Sequence, residues 1–148
     1  MLPATTERVS LHSAASASRK IRNETQARIA YLARHPGEIP TRLAELDREW
    51  DIERSLEANA SSLAFTGIVL GATLDRRWLV LPALVTAFLF QHAIQGWCPP
   101  LPILRRLGFR TASEIEQERH ALKALRGDFA RIGQAEDRAA AAFQAARV

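Results

Sequence analysis

Cysteine is almost missing from this chain. Cys98 is the single one, so no intramolecular disulfide framework holds the fold. A glycine-rich phosphate loop and a Gly-x-Ser-x-Gly elbow are both absent. His12, His35 and His120 are scattered, without the spacing that metal ligands need. No metal, cofactor or catalytic constellation is therefore expected, and the chain reads as a non-enzyme. Aromatic residues make up 7% of it and are not interleaved with basic ones. That excludes nucleic acid as an expected partner, although the net charge is +4 and the pI about 10.2. Residues 1–18 lack the apolar core of a secretory signal. They are rich in Ser, Ala and Thr and are expected to be a disordered tail.

Charge is missing from the centre of the chain. Residues 58–74 carry none over 17 positions, and 78–104 hold no Asp, Glu, Lys or Arg over 27. Only Asp75-Arg76-Arg77 separates the two runs. The first run is at the short end of what crosses a bilayer, and 78–97 is long enough at the helical rise. Trp78 and Trp97 stand at the ends of the second run, where two interfacial anchors belong. The expected fold is all-α: a two-helix transmembrane hairpin over 58–97, flanked by charged, amphipathic cytoplasmic helices. The rival is a buried helical hairpin in an oligomer. A monomer in water would expose far more apolar surface than soluble monomers do.

The connecting turn is short, so the two helices must lie antiparallel and in contact. Gly67 and Gly71 form a small-xxx-small pair that lets backbones approach. That stripe packs either on the hairpin's second helix or on a second copy of the chain. Basic residues are denser on the terminal sides (Arg42, Arg48, Arg54, Arg105, Arg106, Arg110) than in the turn. The positive-inside rule then puts both termini in the cytoplasm.

Before the hairpin, 19–57 reads as a helical arm. One helix ends at His35-Pro36-Gly37, and a second opens at Pro40-Thr41 and runs on, highly charged, toward the hairpin. Trp50 suits either a headgroup position or packing on the preceding helix. After it, Pro99, Pro100 and Pro102 end the second apolar helix. Residues 98–111 form a Pro-rich basic juxtamembrane segment, with Arg105 and Arg106 expected on anionic lipid. Residues 112–148 read as one long helix opened by a Thr111/Glu114 capping box. Its heptad-like stripe (Ile115, Leu122, Leu125, Phe129, Ile132, Ala139, Phe143) is interrupted by Glu118 and Glu136. It suits a protein partner or a second copy.

Two polar features fall within the apolar region. His92, with Gln91 and Gln95, is expected to face protein, since polar groups at membrane depth seldom face lipid. Cys98 is the candidate functional thiol. At a helix C-terminus the dipole disfavours its thiolate, which Arg105 and Arg106 could offset by folding back. A structural cysteine in a tight turn is the plainer reading.

Gly96-Trp97-Cys98-Pro99, together with Asn59, Gly67 and Trp78, resembles the YgaP-like bacterial inner-membrane family of unknown function. Its two-helix hairpin occurs alone or behind a rhodanese domain. The resemblance covers about 57–108 and implies a bacterial inner-membrane location. No rhodanese domain precedes the hairpin here, and no other cysteine is present to carry a persulfide. The expected role is a membrane-anchored scaffold or accessory protein. The alternative is a membrane thiol component in sulfur handling or redox chemistry, using Cys98.

Overall fold

The computed structural model describes residues 8–130 and 132–146. The chain is all-helical, with no strand among the described residues. Its α-helices are α1 Arg8–Leu11, α2 Ala15–Arg34, α3 Ile39–Leu46, α4 Ile52–Thr73, α5 Val80–Gln95, α6 Leu101–Leu107, α7 Ala112–Arg126 and α8 Arg138–Ala146. Residues 1–7 of the expected disordered tail lie outside the described residues. Within it, residues 8–11 are instead helical, and Val9 is buried against Ile52, Leu56, Cys98 and Leu101.

Helix boundaries follow local chemistry. The charged arm does not run unbroken into the apolar region. It stops at Leu46, and Asp51 starts α4 by accepting the Arg54 N–H at 2.8 Å, as an N-cap should. Ile52 to Glu57 thus belong to the apolar helix rather than to the arm. The α4 hydroxyls return to the backbone: Ser62 Oγ donates to Ala58 O at 2.7 Å, and Thr66 Oγ1 to Ser62 O at 2.8 Å. Such bonding removes the cost of a hydroxyl in apolar surroundings. Arg54 also lies over the Trp50 ring, 4.4 Å from its centroid.

At the C-terminal end the expected single helix is broken. Gly127 adopts φ 87°, and the Asp128 N–H reaches Lys123 O at 3.1 Å. This is a Schellman ending, which a left-handed glycine permits. Leu125 and Phe143, two residues of the expected stripe, are left exposed.

The helices group into two compact units: Met1–Lys20 with Trp50–Ala112, and Ile21–Glu49 with Ser113–Val148. The first holds the antiparallel pair α4–α5, joined by a 3-10 turn at Arg76–Leu79. Its aliphatic core lies at the far end of the pair from that turn, where Leu101, with Leu104 and Phe109 beside it, packs on Ile52 and Leu56. The second is built on Leu32, Ile39, Leu43, Leu46, Ile115 and Leu122, each contributing about 1.5–3 kcal/mol by burial. Into that core projects Glu118, whose side chain is 0% exposed. Arg28 Nε and Arg42 Nε each donate to its Oε1 at 2.9 Å. Lys123, also buried, donates to the Ala145 carbonyl of α8 at 3.1 Å. Of the two residues that interrupt the expected stripe, Glu118 is therefore inside and satisfied by partners, while Glu136 lies beyond α7 and is exposed.

Candidate functional site, a thiol beside an anchored imidazole

Helix α5 ends at Gly96, which takes φ 76° and returns its N–H to His92 O at 2.7 Å. That left-handed cap turns the chain back, and Pro99 and Pro100 hold the turn. Cys98 is thereby carried inward. It is 4% exposed and sits in the aliphatic core of the first unit with Val9, Ile52, Leu56 and Leu101.

His92, one turn before the cap, points into the same region and is 3% exposed. Its Nε2 lies 2.8 Å from Oε2 of Glu53, on the first turn of α4. An ionised carboxylate only accepts, so Nε2 must carry a proton and donate it. A neutral ring then presents a lone pair at Nδ1. Nδ1 is buried and has no nitrogen or oxygen hydrogen-bond partner among the described residues. The Cys98 thiol is an electrostatic neighbour of this ring. Carboxylate, imidazole and thiol thus follow one another, the order in which a nucleophile, its base and the base's orienting group are arranged.

The thiol also borders a cavity of about 230 Å³ between α4, α5 and the proline turn. Leu56, Leu63, Val85, Phe88 and Leu89 make its wall apolar, and Asn59 supplies a polar side chain.

The glycines of α4 lie at the closest approach of the pair. A methyl group built on Gly67 would stand 2.5 Å from Cδ of Pro82, and one on Gly71 2.6 Å from Cδ2 of Leu79. Gly67 therefore faces α5 of the same chain, and Gly71 faces Leu79 at the end of the connecting turn. Trp78 is exposed in the connecting turn, and Trp97 is half-buried. Arg105 departs from expectation. It is buried, and donates from Nη1 to Phe109 O at 3.0 Å and from Nη2 to Ser18 Oγ at 3.3 Å. The reason is spacing: Arg105 is four residues after the buried Leu101, hence on the inner face of α6. Arg106 is the exposed member of the two.

Sequence reasoning singled out Cys98 and His92 but missed Glu53, which is 39 residues from His92 and reads as one more charge on a charged segment. The signal lay in register. Once Gly71 is placed against Leu79, antiparallel counting brings the first turn of α4 to the last turns of α5. Among the described residues, no group of three or more His, Cys, Asp or Glu could hold a metal ion. No family model, curated protein or solved structure matches the chain.

Proposed function

We propose that this protein is an integral membrane protein anchored by the α4–α5 pair, and that it acts as a non-enzymatic scaffold or accessory protein. One observation carries the reading. The span Arg76–Gln95 is long and apolar enough to cross a bilayer, yet only 11% of it is buried within the protein. Phe65 of α4 and Phe90 of α5 are each 69% exposed, with Ile68, Leu84 and Ile94 also open. Lipid covers such a surface at no cost, whereas water does not. α4 then forms the second span from 58 onward, which makes the pair a transmembrane hairpin. The resemblance of 57–108 to the YgaP-like hairpin supports the same reading and points to a bacterial inner membrane. Arginine density on the terminal sides favours cytoplasmic termini. The exposed Leu125 and Phe143 are then available to a protein partner or a second copy.

The test is fractionation of cells expressing the chain, followed by a carbonate wash of the membranes. Retention in the pellet, with release only by detergent, is the expected result. Release by carbonate overturns the anchor and makes the pair the core of an oligomeric bundle. The thiol reading has its own observation in the Glu53, His92 and Cys98 arrangement.

A further inference from the structure

We infer that Cys98 accepts an acyl group from an acyl thioester, with the acyl chain lying in the adjoining apolar cavity and His92 taking the thiol proton. Three features meet at this one sulfur. The first is the imidazole, 3% exposed, whose Nε2 is bonded to Glu53 and whose hydrogen-bonding neighbour on the other side is the Cys98 side chain. A purely structural cysteine in a tight turn does not need an oriented base. The second is the cavity. It holds about 230 Å³ and is an open apolar groove, since Leu63 and Phe88 on its wall are 43% and 40% exposed. The third is its lining. Leu56, Leu63, Val85, Phe88 and Leu89 offer no charge to a ligand, so what enters is hydrocarbon, with its one reactive carbon at the thiol end.

The step balances without an oxidant. The Cys98 sulfur attacks the thioester carbonyl carbon, a new S–C bond forms, and the donor's C–S bond breaks. The thiol proton passes to Nδ1 of His92 and from there to the departing thiolate. Glu53 keeps the ring in the tautomer that can receive it. His92 and Glu53 act on the sulfur, and the cavity selects the acyl chain. The inference does not depend on membrane insertion, because each element lies within one unit of the chain.

Octanoyl-coenzyme A is the probe, used on the full chain in mild detergent and read by intact mass. The expected product carries one octanoyl group, is removed by hydroxylamine, and is absent from Cys98→Ser. It should form at least about tenfold faster on the folded chain than on the same chain in urea, a modest share of what general-base assistance supplies. His92→Asn should remove that advantage. Ala60→Leu, which fills the cavity, should slow octanoyl transfer more than acetyl transfer. A folded chain that reacts no faster than the unfolded one overturns the inference, and this comparison requires no variant to fold. Equal slowing of octanoyl and acetyl transfer by Ala60→Leu overturns the role of the cavity.

Discussion

Gly67 and Glu118 are buried one in each unit, and they are opposite kinds of residue. At Gly67 the pair closes by removing a side chain, so that the backbone of α4 meets Pro82 of α5. At Glu118 the second unit closes by burying a charge and surrounding it with Arg28 and Arg42. The first unit leaves Phe65, Ile68, Leu84 and Phe90 outside, while the second keeps Leu32, Ile39, Leu43 and Leu122 in its core. The contrast fits the membrane anchor proposed above. Between helices in lipid, apolar burial supplies no driving force, so close approach and backbone contact must hold the pair. In water, aliphatic burial holds the fold, and ionic groups inside it survive only when fully partnered.

The comparison is broken most severely at Glu118. Glu118→Gln leaves Arg28 and Arg42 without their shared anion, and is expected to destabilise the second unit by about 3 kcal/mol. Hydrogen exchange should quicken in α3 and α7 while α4 and α5 keep their protection. Equal loss in all four helices would show that the two units do not have separate stabilities.

Gly67→Ala comes next. The proline ring cannot swing aside, so the added methyl forces the helices apart at a cost of about 1–3 kcal/mol. Gly71→Ala should cost less, because its methyl meets the far end of the flexible Leu79 side chain. Exchange at α4 and α5 amides ranks the two. If Gly71→Ala proves the worse, the closest approach lies nearer the turn. Smaller again is Gly127→Ala, about 1 kcal/mol for a Cβ in left-handed backbone, read as faster exchange at the C-terminal end of α7.

The smallest effect is one of pH. A hydrogen bond from Arg126, aided by the charges of Arg126 and Lys123, holds the Asp128 carboxyl below its ordinary 3.8 against the opposing effect of burial. A depressed carboxyl contributes stability that is fully present above the unfolded value. That contribution fades as the pH falls through the lower folded value. The Arg126–Asp128 link should therefore be intact at neutral pH and open only in acid. A carboxyl carbon titration by NMR would follow it, and Asp128→Asn should leave no acid step.

Much of this was legible in the residues. The charge-free runs and their short separator announce an antiparallel apolar pair, and Gly67-Ile-Val-Leu-Gly71 announces its close face. Pro99 and Pro100 announce the end of the second apolar helix, which closes just before them at Gly96 with positive φ. Other features were not legible, for a common reason. Asp51 reads as one acid among several in a charged stretch until its cap is seen. Glu118 reads as an interruption of an apolar stripe until Arg28 and Arg42 converge on it from distant positions. Arg105 looks like a headgroup contact until the inner face of α6 is known.

The sequence by itself determined the helical class, the central pair and its antiparallel sense, because composition and hydrophobic period act locally along the chain. Only the tertiary structure decided which charges lie inside and which side chains meet. It joined Glu53 to His92 across 39 residues and set Cys98 beside that ring and above a cavity. Such contacts depend on register and on the direction of Cα–Cβ bonds, which no local pattern encodes.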